Sequence, residues 1–256
     1  MKLTILGCSG SFPGPDSPSS GYLLESGGTR IALDLGNGTL GAMQRFIDPF
    51  ELDAVFLTHL HPDHCADFGA LTVLRRYHPN PPYDPTVHRL PVIAPENAPE
   101  RFAALYAPNA EELAETDLSD VFEFVPISPE PVRIGAFEVR AVPVAHLCPA
   151  WGFRVAAEGR VLAYTGDTGP CPQLTELAAD ADVLLSEASW ADFPDAPDGV
   201  HLSGRQAAGV ATAAGARRLL LTHVVPWADR DAILTEAKAA FDGPAELVAA
   251  DRTYDI

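Results

Sequence analysis

The sequence lacks any apolar run near the roughly 18 residues that a membrane-spanning helix needs, and it has few cysteines and few basic side chains. Its four cysteines, Cys8, Cys65, Cys148 and Cys171, are scattered and form no Cys-x-x-Cys pair, which argues against both a disulfide framework and a thiolate zinc site. The first residues also lack the features of a secretory signal peptide. These absences predict a cytoplasmic protein with no membrane partner and with reduced thiols.

Basic residues are outnumbered by acidic ones, with 17 Lys and Arg against 35 Asp and Glu and a formal net charge of −18. Such a surface repels polyanions at long range, and the basic stripe of nucleic-acid-binding proteins is not visible. The charge therefore argues against a nucleic-acid partner, whereas a small molecule with one negative charge is repelled far less. The 256 residues, 47% of them hydrophobic, can build a sizeable core, and we expect residues 1–256 to form a single domain.

Histidine is concentrated at the ends of apolar runs. The run 54–57 predicts a buried strand, and Thr58-His59-Leu60-His61-Pro62-Asp63-His64 follows it at once. Three imidazoles and one carboxylate therefore lie within six residues, and we interpret the segment as a loop whose side chains converge on metal ions. Mixed nitrogen and carboxylate donors suit Zn²⁺, with Mn²⁺ or Fe²⁺ as alternatives.

The same pattern, a short apolar run that ends in a donor residue, recurs at His146, Asp167 and His223. Strands alternate with helices in both halves of the chain, which predicts an α/β fold of two similar halves with their sheets packed in the middle. Donors at strand ends from both halves would then meet at one edge of the sandwich. Six of the eight histidines occupy or adjoin such positions.

The proline-rich segment 78–91 predicts an irregular surface loop after a helix at about 66–77. It carries the two remaining histidines, His78 and His88. Nothing beside either of them resembles a strand end, so we interpret both as non-ligands.

A loop of small residues at 7–11 allows the backbone to approach a ligand closely. We therefore consider Ser9 a candidate substrate-binding residue, with an ordinary turn as the alternative interpretation. At the other end of the chain, a last strand is expected at 246–249.

The donor residues together resemble the ligand set of the metallo-β-lactamase superfamily, in the same order and over nearly the whole chain. The resemblance implies a four-layer αββα sandwich and two divalent metal ions. It assigns His59, His61 and His146 to one ion and Asp63, His64 and His223 to the other, with Asp167 bridging. Class B lactamases usually place a cysteine at the position of Asp167, and the diiron oxidases of this fold carry a glutamate at the position of His61. Both of those activities are therefore disfavoured.

The block Ser186-Glu187-Ala188-Ser189, with His201 downstream, is similar to the ribonuclease Z branch of the superfamily. The net charge and the absence of a long basic arm between residues 90 and 146 argue against tRNA processing. Several other segments resemble actinobacterial cyclic-nucleotide phosphodiesterases of this fold, and these segments are 6–11, 15–18, 75–79, 186–190 and 236–239.

This resemblance implies a hydrolase that converts a 3′,5′-cyclic nucleotide such as cAMP to the 5′-monophosphate. Asp63 would orient the attacking water, His201 would bind phosphate or protonate the leaving oxygen, and Glu187 would orient His201. Alternatively, His201 is an ordinary residue at a helix N-terminus and Glu187 a surface acid at a strand end. The alternative functions are a ribonuclease Z-like tRNA 3′-processing enzyme and a non-catalytic metal-binding protein. The sequence does not fix the base preference or the oligomeric state, and a homodimer stays open.

Overall fold

The structure is a computed structural model that describes all of residues 1–256. Its strands form two seven-stranded mixed sheets. In spatial order, the first sheet consists of β14 (Thr253–Asp255), β1 (Lys2–Gly7), β2 (Gly21–Ser26), β3 (Thr29–Leu35), β4 (Ala54–Phe56), β5 (Leu90–Ala94) and β6 (Phe122–Pro126). The second consists of β13 (Ala245–Leu247), β12 (Leu219–Thr222), β11 (Val183–Glu187), β10 (Arg160–Tyr164), β9 (Ala150–Ala157), β8 (Phe137–Val144) and β7 (Val132–Ile134).

The helices fall into two sets along the chain. Before β6 lie α1 (Thr39–Met43), a 3-10 helix (Pro49–Glu51), α2 (Pro62–Cys65), α3 (Phe68–Tyr77), α4 (Ala98–Tyr106) and α5 (Ala110–Glu115). Within the second half lie α6 (Gln173–Ala178), α7 (Gly204–Ala214) and α8 (Arg230–Ala240). No helix combines the length and the apolar character that crossing a membrane requires.

Three separate apolar clusters define the layers. Phe56 and Phe153 meet between the sheets with ring centroids 5.6 Å apart. Because alternate residues of a strand face opposite sides, the preceding Val55 points outward and shares a second cluster with Leu71 of α3. A third cluster packs α7, through Ala208, on the outer face of the second sheet. Two sheets with helices on both outer faces make the four-layer αββα sandwich, so the predicted fold class is confirmed.

The parallel strands at the centre of each sheet place the candidate residues. β3, β4 and β5 run parallel in the first sheet, as do β10, β11 and β12 in the second. Every residue of β4 and β12 is buried because both faces of each sheet are covered, which explains their continuous apolar sequences. Parallel strands end at a common edge, so the residues that follow them come together there.

The segment that follows β4 is not a loop throughout, and that part of the sequence interpretation was wrong. Pro62 begins the one-turn helix α2, which carries Asp63 and His64. A proline suits the first helical position because its fixed φ is already helical and its missing N–H would have had no partner there. The helix expected at about 66–77 begins at Phe68 and ends at Tyr77.

The C-terminal strand was predicted in nearly the right place, and a second one was missed. β13 covers Ala245–Leu247 rather than 246–249. β14 pairs antiparallel with β1, with Tyr254 opposite Leu3, and is too short to show a pattern in the sequence. The proline-rich segment contains no helix or strand before Leu90.

Candidate metal centre

The seven candidate ligands come together where strands of both sheets end. Their donor atoms form two groups, and within each group the atoms lie within 4.8 Å of one another. The first group is His59, His61, His146 and Asp167, and the second is Asp63, His64, Asp167 and His223. Asp167 belongs to both groups, so the two adjoin.

The first group consists mainly of imidazole nitrogens. Nε2 of His59 and Nε2 of His146 lie 3.0 and 3.2 Å from Nδ1 of His61, and Oδ2 of Asp167 lies 3.8 Å from His59 Nε2. Burial holds the pKa of His59 well below its usual value, and it also lowers the pKa of His146. Both rings are therefore neutral near pH 7 and have a lone pair to offer a cation.

The second group contains two buried atoms that have no hydrogen-bond partner. Nε2 of His64 lies 3.0 Å from Oδ1 of Asp167, yet neither atom makes a hydrogen bond. Such orphaned buried atoms are rare in folded proteins. His223 Nε2 lies 3.1 Å from Asp63 Oδ2 and 3.3 Å from Asp167 Oδ1. A divalent cation between these groups would satisfy the two orphaned atoms, and the nitrogen and carboxylate donors suit one.

The charges in the second group favour cation binding. Burial opposes ionisation of Asp167, but His223 and His64 outweigh it and hold the pKa of this carboxyl well below its usual range. Burial likewise opposes protonation of His64, but Asp167 and Asp34 keep its pKa well above the usual value. A cation bound by His64 would therefore replace a proton, which makes its affinity rise with pH.

Asp34, which lies near the end of β3, fixes the orientation of His64. Its Oδ2 accepts hydrogen bonds from His64 Nδ1 at 2.8 Å and from the Tyr164 hydroxyl at 2.7 Å. Its Oδ1 accepts the Thr58 backbone N–H at 2.8 Å. These contacts leave His64 Nε2 facing Asp167. Asp34 was not predicted from the sequence, although an acid directly after the apolar residues 31–33 was a signal that could have identified it.

Replacing Asp34 with asparagine is expected to weaken divalent-metal affinity by about 10–100-fold, the usual effect of losing the group that orients a ligating histidine. Asparagine tolerates the left-handed backbone at this position, where φ is +59°. Its side-chain amide cannot accept from all three donors. Zinc titration against a chromophoric chelator measures the change. Asp182→Asn is the control, because Asp182 pairs with surface arginines instead; equal affinity in the two variants would contradict the role of Asp34.

The small-residue loop after β1 closes on the second group. The Ser11 backbone N–H donates to Asp63 Oδ2 at 2.9 Å. A Cβ at Gly10 would come within 2.5 Å of the His223 carbonyl oxygen, so the close approach requires glycine. Ser9 is buried, lines a separate cavity of about 120 Å³, and makes no side-chain hydrogen bond to the donor residues. Its substrate-binding role stays a prediction.

His201 and Glu187 form a hydrogen-bonded pair beside the donor residues. Glu187 ends β11 and is fully buried, contrary to the alternative of a surface acid. Its Oε1 lies 3.1 Å from His201 Nδ1, and its Oε2 accepts from Ser189 Oγ and from the Leu202 N–H. Burial lowers the pKa of His201, but Glu187 and then Asp167 outweigh it and raise the pKa to about 9. His201 therefore holds a proton at neutral pH.

The remaining histidines, His78 and His88, belong to neither donor group. Their rings pack edge-on against Phe50 and Tyr83, respectively. The structure thus brings together all seven candidate ligands, His201 and Glu187, and it leaves His78 and His88 outside this cluster.

The fold and the clustered donors agree with the comparison to known proteins. Residues 29–224 match the model of a β-lactamase superfamily domain. The chain belongs to the metallo-β-lactamase superfamily. It is 46% identical to an uncharacterized protein of Mycobacterium leprae over the whole chain and 89% of that relative. It is also 31% identical to a ribonuclease Z of Mycobacterium marinum, over 88% of this chain and 87% of that one.

Solved structures show the same fold. The metallo-β-lactamase fold protein YhfI of Bacillus subtilis superposes with a TM-score of 0.85 at 26% identity, over 99% of this chain and 98% of that one. The short form of human tRNase Z gives 0.76 at 22% identity, over 100% and 99% of the two chains. Yeast PDE1 superposes with a TM-score of 0.74 at 13% identity, over 100% of this chain and 99% of that one. At these identities the last two establish the fold alone.

Proposed function

We propose that the protein is a phosphodiesterase that hydrolyses 3′,5′-cyclic nucleotides such as cAMP to 5′-monophosphates. It would use two divalent metal ions, with zinc as the favoured metal. The observation that carries the proposal is the hydrogen-bonded pair of His201 and Glu187 beside two donor groups that share Asp167. A phosphodiester needs both parts, because charge builds on the phosphoryl oxygens while a sugar oxygen departs and must receive a proton.

The first donor group would hold one ion and the second the other, with Asp167 common to both. Bound divalent ions supply Lewis acidity, which neutralises phosphoryl charge and lowers the pKa of water to near neutrality. Asp63, held by the Ser11 N–H, would orient the attacking water. His201 uses Nδ1 toward Glu187, which leaves Nε2 to protonate the departing oxygen.

The carboxylate of Glu187 should set the upper pH limit of turnover. A general acid must be protonated, so kcat falls as the pH rises through the pKa of His201. Glu187 raises that pKa, and Glu187→Gln removes the charge; the alkaline limb of kcat should therefore move to lower pH. Rates from pH 6 to 10 measure the shift, with the surface variant Glu138→Gln as control. If the alkaline limbs of the wild type and of Glu187→Gln coincided, His201 would not be the general acid.

A ribonuclease Z activity is the second candidate, because relatives that carry that name are 29% to 31% identical to this chain. The net charge of −18 opposes it, since tRNA is a polyanion and this surface repels one. A cyclic mononucleotide carries a single negative charge and meets far less repulsion. A non-catalytic role is a weaker candidate, because no donor is missing from either group.

A substrate panel distinguishes the three functions. Metal-loaded protein is incubated with cAMP, a cyclic dinucleotide, a tRNA precursor and bis-p-nitrophenyl phosphate, each with and without a chelator. We expect conversion of cAMP to AMP that the chelator abolishes. Trimmed tRNA beside intact cAMP would establish the ribonuclease instead, and no chelator-sensitive hydrolysis of any compound would favour the non-catalytic role.

A further inference from the structure

A cavity of about 320 Å³ opens beside His201, on the loop between β11 and α7. Its lining includes Trp190, Phe193, Asp198 and Gln206. The volume reaches the lower end of the range of small-molecule sites. His201 therefore lies both next to the metal donors and in the wall of the cavity.

The loop that forms the cavity is fixed relative to the metal centre. Its ends are joined, because Trp190 and Ser203 form a parallel β-bridge and the Gly204 N–H donates to the Trp190 carbonyl at 3.2 Å. Near its end, the Val200 carbonyl oxygen lies 3.0 Å from Nδ1 of His146. The position of the cavity relative to His146, a candidate metal ligand, is therefore fixed.

Aromatic rings line the cavity, and one of them contacts His201. The Trp190 ring meets His201 at 5.1 Å between centroids and 84°, and Phe193 at 5.8 Å and 73°. Phe193 is 45% exposed and packs against no other ring. Nucleobases stack on aromatic side chains of this kind, and every base has a face that can do so.

Two polar groups of the lining are free to bind a ligand. Asp198 makes no hydrogen bond or ion pair through its side chain, whereas the neighbouring Asp192 is held by Arg205. Oε1 of Gln206 accepts the Ser203 N–H at 2.8 Å, which leaves its amide NH₂ available. A carboxylate acceptor and an amide donor complement the exocyclic amine and a ring nitrogen of adenine.

We propose that this cavity holds the nucleoside part of the substrate, with the base against Phe193 and Trp190 and its amino edge toward Asp198 and Gln206. The inference rests on the proposed function, because a phosphate at the donor groups puts the attached sugar next to His201. It adds a binding site for the base and a preference for adenine over uracil.

Phe193→Ala tests the stacking contact, with Phe46→Ala as the matched control. Phe46 is similarly exposed, at 38%, and does not line the cavity. Calorimetry on metal-loaded protein compares AMP with ribose 5-phosphate, which lacks the base. We expect Phe193→Ala to weaken AMP binding about tenfold, the effect of losing one base stack, and to leave ribose 5-phosphate unchanged. Phe193→Tyr should restore AMP binding.

Unchanged AMP binding in Phe193→Ala, or an equal loss for both ligands, would overturn the proposal. Because the measurement needs no turnover, a protein that leaves cAMP intact but loses AMP binding selectively would refute the phosphodiesterase and retain the base site. Asp198→Ala tests the base preference: it should weaken AMP several-fold more than UMP, and equal effects would exclude a role for Asp198 in choosing adenine.

Discussion

Replacing Asp167 with alanine should lower the turnover of cAMP to the limit of detection, a loss of at least about 10⁴-fold. Asp167 is the only residue common to both donor groups, and its oxygens lie 3.0 Å from His64 and 3.8 Å from His59. Its removal leaves imidazoles from both groups facing one another without the charge that lets two cations lie close together. Elemental analysis should show two ions per chain in the wild type and fewer in the variant.

The matched control for this experiment is Asp182→Ala. Asp182 is also largely buried, but it pairs with Arg160 and Arg217 away from the donor groups. Both variants should keep the circular dichroism spectrum of the wild type, because none of the three apolar clusters contains either acid. An Asp167→Ala protein with full metal content and normal turnover would remove the basis for a dinuclear centre.

Replacing His201 with alanine should lower turnover of cAMP by about 10²–10⁴-fold, the usual contribution of a general acid. The loss should be much smaller for bis-p-nitrophenyl phosphate, because p-nitrophenolate departs without needing a proton. The dependence on leaving group separates proton donation from a structural effect, which would lower both rates equally. Initial rates with both substrates at fixed metal content provide the test.

His78→Ala provides the control for His201→Ala, since His78 lies in the proline-rich segment against Phe50 and belongs to no donor group. It should leave both rates within a factor of about two, as surface substitutions usually do. If His201→Ala slowed both substrates to the same extent, His201 would bind phosphate or support the fold rather than donate a proton.

The donors could be predicted from the sequence because they follow the ends of four strands, with four of the seven after β4. His59 comes just after β4 and His223 just after β12, and a strand end is visible locally as an apolar run that stops. The alternation of strands and helices predicted two α/β halves with packed sheets, and the resemblance to the metallo-β-lactamase superfamily implied the four-layer sandwich. The strand ends and the alternation are signals within a few residues, which sequence patterns preserve.

The supporting contacts could not be predicted, because they join distant parts of the chain. The Tyr164 hydroxyl reaches Asp34 across 130 positions, and Ser189 lies 3.0 Å from His223 Nδ1 across 34. No local pattern distinguishes these residues from ordinary strand and loop positions. The turn of helix at Pro62 was missed for a different reason: a single turn is too short to show helical periodicity.

The bridge between Trp190 and Ser203 has a consequence for how this scaffold diverges. Because Trp190 and Ser203 are bridged, the residues between them form a closed loop outside both sheets. Doubling the length of such a loop costs only about 0.6 kcal/mol of loop-closure entropy. Insertions and deletions in this loop therefore cost little stability, while the metal donors stay at the strand ends. Descendants of one ancestor can therefore acquire new substrates through changes in residues 191–199, while Val200, His201 and the donors at the strand ends are retained.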